Sequence, residues 1–154
     1  MGPIKVAIAD DHKIFRKGVI LSLRAYPNLK FVLEAENGQE LIDLLAATPD
    51  EEKPEVILMD EPFAALDEIT RDRMGFELMR IWQRYRKTVV FITHSLAEAV
   101  FLSDQVILMS ARPGRIHRIH TIDLPRPRDE DMRLSDAFAH WVGTLNRELY
   151  QVMK

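Results

Sequence analysis

The chain has 154 residues, 47% of them hydrophobic and 29% charged, with a formal net charge of −3 and no cysteine. That is enough chain to bury the core of one ordinary soluble domain. The acidic balance argues against a nucleic-acid or anionic-membrane footprint, and the absence of cysteine excludes disulfides and thiolate metal sites. No apolar run approaches the roughly 18–20 residues of a membrane helix. In "MGPIKVAIADD" charge comes too early for a signal peptide, so the expected compartment is the cytoplasm.

In chain order, "IKVAIA" (residues 4–9) is a short apolar run bounded by charge, and it predicts a strand buried on both faces. Asp10 and Asp11 end it. Residues 12–26 place Ile14, Phe15, Val19, Leu21 and Leu23 near helical spacing, with Pro27 as the stop. Residues 30–36 read as a second strand. Asn37 with Glu40 resembles a capping box opening "ELIDLLAA". A polar loop, residues 48–54, leads to a third strand at residues 55–60. Asp67 then caps a long helix running to about Arg86.

"TVVFI" (residues 88–92) predicts a fourth, β-branched and buried strand. Ser95 and Glu98 form an S-x-x-E capping box for the next helix. Residues 105–110 predict a fifth strand. "ARPGR" is a turn, and residues 116–124 alternate like an exposed edge strand. After the proline-rich "LPRPRDED", residues 135–154 have the pattern of an amphipathic terminal helix.

Five strands alternating with helices predict an α/β fold, a three-layer sandwich with a mostly parallel sheet. Ligands of such sheets lie beyond the carboxyl ends of the strands. There the chain offers Asp10, Asp11, Glu36, Asp60, Glu61, Thr93, His94 and residues 110–112. If the first strand pairs with the third, Asp10, Asp11 and Asp60 converge. Their mutual repulsion is relieved by a divalent cation, and Mg2+ accepts one or two carboxylates with several waters. The plainer alternative is that Asp10 or Asp11, like Asp67, only caps a helix.

The first sixty residues carry a family resemblance. The acidic pair Asp10-Asp11, "FRKG", "EAENGQEL" and the strand ending in Asp60 resemble the first half of a response-regulator receiver domain, of the type that precedes LuxR-like DNA-binding domains. The resemblance implies that Asp60 is the phosphoacceptor and that Asp10, Asp11 and Asp60 hold the metal. It also implies a flavodoxin-like sheet of order 2-1-3-4-5, with Thr93 as the supporting hydroxyl after the fourth strand. It breaks after Asp60: "EPFAALDEITR" replaces the methionine-proline and glycine pattern, and Arg112 stands where a receiver carries lysine.

Residues 56–154 resemble a different family. "VILMDEPFAALDEITR", "TVVFITHSLAEAVFLSDQVILMSARPGRI" and "IDLPRPR" are similar to the later half of an ABC-transporter ATPase subunit of the nitrate, sulfonate or taurine importer type. In that family Asp60 would be the Walker B magnesium aspartate, Glu61 the general base and His94 the switch histidine. The phosphate-cradling loop ending Gly-Lys-Ser/Thr is missing, because none of the six glycines precedes lysine and no Gly-Gly pair exists. Glu61 and His94 are therefore expected to be vestigial, and no ATP is expected to bind.

Natural fusions join complete domains at linkers, whereas here two resemblances meet inside one strand. The expectation is a single engineered chimeric domain, receiver-like over residues 4–60 and ATPase-like over 56–154. It is expected to be no enzyme, to bind Mg2+ weakly, and to accept phosphate at Asp60 slowly. No nucleic acid or membrane partner is expected; a homodimer through the C-terminal strand or helix is an open option. The alternatives are an atypical phosphoacceptor receiver and an ATP-binding subunit of an importer.

Overall fold

In the computed structural model, which describes residues 2–154, the strand β1 runs from Ile4 to Asp10 and is buried from Val6 onward. Its unbroken apolar run suits a central parallel strand covered on both faces. β2 (Leu29–Ala35) and β3 (Val56–Asp60) flank it, both parallel, and β4 (Thr88–Ile92) pairs with β3, so the sheet order is β2-β1-β3-β4. One register shift lies between Val6 and Ala7 against β2. The expected α/β class with a parallel sheet is the class observed.

Two of the three helices of this part begin at side-chain caps, and the first starts after His12 without one. α1 is Lys13–Arg24, ending three residues before Pro27. α2 is Gly38–Ala47, where the Asn37 side chain accepts from the Glu40 amide at 2.9 Å. The Glu40 carboxylate in return accepts from the Glu36 amide at 2.8 Å. α3 is Glu68–Tyr85, and Asp67 accepts from both the amide and the hydroxyl of Thr70. The loop before β3 is less exposed than its composition suggests. Lys53 is buried there, its ammonium donating to the Thr48 carbonyl and to Asp50 and lying 4.4 Å from the centre of the Tyr85 ring.

A first compact unit ends at Ile92 and a second spans Thr93–Lys154. The division falls after β4 rather than near Asp60, where the sequence resemblance changes. The second unit contains α4 (Leu96–Leu102), β5 (Gln105–Met109), β6 (Ile116–Thr121), the short α5 (Glu130–Arg133) and α6 (Asp136–Val152).

The fifth strand differs from its expected place. β5 bonds to β6 as an antiparallel two-stranded sheet, not to β4. In this pairing burial alternates along the strand: Val106 and Leu108 are buried while Ile107 and Met109 face out. The Pro-Gly turn then returns the chain at once, as a hairpin requires. β4 is left at the edge of its sheet and exposes Val90 and Ile92, against the expectation of a buried strand.

The proline-rich link is structural. Arg128 is buried, and its guanidinium donates to the carbonyls of Val100, Phe101, Ser103 and Leu124. Arg126 donates to Leu102 and to Asp104. Together they satisfy the carbonyls that the C-terminal end of α4 leaves open. Burial, then the neighbouring Arg126, lowers the Arg128 pKa to about 10.

Candidate functional site

Parallel pairing in register places Asp10 beside Asp60 at the carboxyl ends of β1 and β3. Asp10 is fully buried, because the apolar run delivers it before the chain emerges from the sheet. One oxygen, Oδ1, accepts from the His12 amide at 2.9 Å, and the His12 ring nitrogen Nδ1 lies 3.3 Å from it. The other oxygen, Oδ2, is buried with no hydrogen-bond partner. A buried carboxylate oxygen without a donor is costly unless a cation or proton reaches it.

Asp11 is exposed, and its Oδ1 lies 2.9 Å from His12 Nδ1. The hydrogen bond to Asp10 and the charge of Asp11 raise the pKa of His12. Asp60 is half-buried. Burial, followed by the charges of Asp10 and Glu61, pushes its carboxyl above the ordinary carboxylate value. Three like charges at one strand edge make a cation acceptor.

Beneath the site lies Arg16, buried on α1. Its guanidinium donates to the Asp10 carbonyl and, through Nε, to Glu34 at 2.6 Å. It therefore ties β1, α1 and β2 together without touching the free oxygen of Asp10. Glu61 follows Asp60 with a positive φ of 43°, and its amide donates to Ile92 at 2.8 Å. The chain thus leaves β3 in a sharp turn, with the Glu61 side chain half-buried.

The sequence-predicted residues divide between the two units. Asp10, Asp11, Asp60 and Glu61 belong to the first, Thr93 and His94 to the second. The Thr93 hydroxyl donates to Glu98 at 2.6 Å and accepts from the Ser95 amide, so it organises the first turn of α4. His94 is exposed. Arg112 lies in the exposed β5–β6 turn with a positive φ of 26°.

Two residues escaped the sequence reading. His12 joins Asp10 and Asp11 in a group whose ligand atoms all lie within 4.8 Å of one another, and Asp60 is outside that group. Its place directly after an acidic pair was the available signal. Arg16 was hidden because a lone arginine in a helix reads as a solvated residue. As for Mg2+, the orphaned Asp10 oxygen and the all-oxygen donors of Asp10, Asp11 and Asp60 fit such an ion.

No family model matches the chain. It is 62% identical over 76 residues, 49% of its length and 28% of the relative's, to an uncharacterized ABC transporter ATP-binding protein of Methanocaldococcus jannaschii. Over 77 residues it is 44% identical to the aliphatic sulfonates import ATP-binding protein SsuB of Bacillus cereus, 50% of this chain and 31% of that one. Over 85 residues it is 46% identical to the bicarbonate transport ATP-binding protein CmpD of Synechococcus elongatus, 54% and 31%. The chain spans about a third of the length of the curated relatives it matches.

Among solved structures it is similar to the receiver domain of NarL from Mycobacterium tuberculosis, at 24% identity and TM-score 0.43, covering 59% of this chain and 64% of that one. It is also similar to a DNA complex of the response regulator RcsB, at 23% identity and TM-score 0.44, covering 63% and 46%. Among the described residues no helix is long and apolar enough to cross a membrane. The expectation of a chain that is no enzyme is corrected by the sequence relatives, which are ATP-binding proteins of transporters.

Proposed function

We propose that the chain is an engineered chimera joining a receiver-like segment, residues 4–60, to the later part of a transporter ATP-binding protein. Its surviving chemistry is Mg2+-supported phosphoryl acceptance at Asp60. The observation that carries this reading is the fully buried Asp10, with Oδ2 unpartnered, in register beside Asp60. Asp10, Asp11 and Asp60 would hold the ion. When bound, Mg2+ supplies charge neutralisation for the phosphoryl oxygens.

The Asp60 carboxylate attacks the phosphorus of a small acyl phosphate such as acetyl phosphate. A new bond forms between Asp60 Oδ and phosphorus, the bond from phosphorus to the acyl oxygen breaks, and acetate leaves with the electron pair. Asp10 and Glu61 hold Asp60 in an electronegative setting that opposes approach of an anion until a cation is present. Acetyl phosphate with Mg2+ should therefore add one phosphoryl group, detected by intact mass, and Asp60→Asn should remove it. An unmodified wild-type chain sinks the acceptor role. Absence of Mg2+-induced amide shifts at residues 10, 11 and 60 sinks the metal role.

The names of the sequence relatives suggest a second reading, hydrolysis of ATP with Asp60 as the magnesium carboxylate and Glu61 as the base. It predicts phosphate release from ATP that Glu61→Gln abolishes. The first reading predicts labelling by acetyl phosphate that Glu61→Gln leaves in place.

A further inference from the structure

We propose that Asp10, Asp11 and His12 form a mixed carboxylate–imidazole site that takes a divalent transition cation of the Zn2+ or Co2+ class in preference to Mg2+. The inference rests on the strand-end carboxylates of the proposed function and adds a nitrogen ligand that changes which ion they select. Three consecutive residues each offer one ligand atom, all within 4.8 Å of one another. His12 Nδ1 is 2.9 Å from Asp11 Oδ1 and 3.3 Å from Asp10 Oδ1, so the imidazole already faces both carboxylates.

A second observation points to a ligand independently of this clustering. The Asp10 side chain is fully buried, and its Oδ2 has no donor. The nearest buried cation does not serve it, because Arg16 directs its guanidinium to the Asp10 carbonyl and to Glu34. The His12 amide binds Oδ1 and fixes the carboxylate's orientation, leaving Oδ2 as the open donor. The His12 ring is 77% exposed, so it can turn toward an ion without disturbing the core.

The donor set decides the class. Mg2+ takes oxygen and keeps its waters, whereas imidazole suits Zn2+ and other late first-row ions, which also accept carboxylate. Two carboxylates and one imidazole, with remaining positions open to water, match the three-protein-ligand arrangement of an accessible Zn2+ site.

The test titrates the full chain with Co2+ and reads its visible ligand-field absorption, then repeats the titration with His12→Asn, His12→Gln and Asp11→Asn. Circular dichroism confirms that each variant is folded. The wild-type chain should give a saturable spectrum that a large excess of Mg2+ fails to displace. Each His12 variant should weaken Co2+ by at least the roughly 10–100-fold that loss of even a supporting group costs a metal site. The proposal is overturned if the wild type gives no spectrum, if equimolar Mg2+ removes it, or if the His12 variants bind Co2+ as the wild type does. Failure of acetyl phosphate to label Asp60 removes the phosphoacceptor reading and leaves this one standing, since the Co2+ titration involves no phosphodonor.

Discussion

Gly38 and Phe63 offer a sharp test of the packing around the turn that leaves β3. Gly38 opens α2, and its amide donates to the Pro62 carbonyl at 3.1 Å, so the helix rests on that turn. A Cβ built on Gly38 would lie 2.2 Å from Phe63 Cε1, 2.8 Å from Cδ1 and 3.1 Å from Cζ. The ring is 2% exposed and lies 6.0 Å from Phe91 centre to centre, so it has no open solvent into which to retreat. Gly38→Ala should therefore overpack the core at a cost of about 1–3 kcal/mol. The gain in helix propensity offsets this by at most about 1 kcal/mol, and by less at a helix end. A net loss near 2 kcal/mol in a unit of this size lowers Tm by roughly 8–16 °C. Urea unfolding followed by Trp82 fluorescence, in a Trp141→Phe background, reads the first unit alone. Repeating Gly38→Ala in Phe63→Leu should abolish the cost, which gives a coupling energy of about 1–3 kcal/mol. A neutral Gly38→Ala, or an equal cost in both backgrounds, refutes the reasoning.

The raised pKa of Asp60 means that folding favours its protonated form. The associated stability is present at low pH and is lost as pH rises through the raised value. Asp60→Asn should then be more stable than wild type at neutral pH, with a gap in thermal melts that closes in acid and narrows when Mg2+ is added. Glu148 has the opposite sign, because the His120 hydrogen bond lowers its pKa, so its contribution is lost as pH falls through the depressed range. Glu148→Gln should destabilise the second unit at neutral pH and match wild type in acid, read by Trp141 fluorescence. Arg128→Met should cost more than about 2 kcal/mol in urea unfolding, because four carbonyls lose a donor at once. Asn37→Ala should cost about 1 kcal/mol by removing the α2 cap.

The starts of α2, α3 and α4 were legible because caps are local. Asn37, Asp67 and Ser95 each accept from the amide three residues on, as their spacing indicates. β1 was legible because a strand buried on both faces needs an unbroken apolar run. The destination of β5 was not, since a continuous apolar run such as Val106 to Met109 suits either a sheet neighbour or a hairpin, and the choice depends on what the following strand can bond. Arg128 escaped notice for a related reason. A guanidinium in a proline-rich link reads as solvated until α4 brings it unpaired carbonyls. Asp10 and Asp60 were visible as candidates, but the orphaned Oδ2 and the facing imidazole are facts of three-dimensional placement.

The geometry of β3 explains why one strand can satisfy two different patterns. Its pairings with β1 and β4 run residue for residue, ending at Asp10, Asp60 and Ile92 side by side. A parallel strand in this position needs only apolar side chains at the right pleat and a polar residue where it leaves the sheet. Ile57 and Met59 supply the first, and Asp60 supplies the second. Nothing in those requirements specifies what comes before or after. The demands that do reach further are made at β4. It exposes two large apolar side chains along an unpaired edge, the kind of edge that proteins ordinarily cover or charge. In the proposed chimera, a joint inside β3 would leave local pairing intact and transfer the mismatch one strand outward. That is the pattern expected if the two halves agree on the acidic strand end but differ in how the sheet continues.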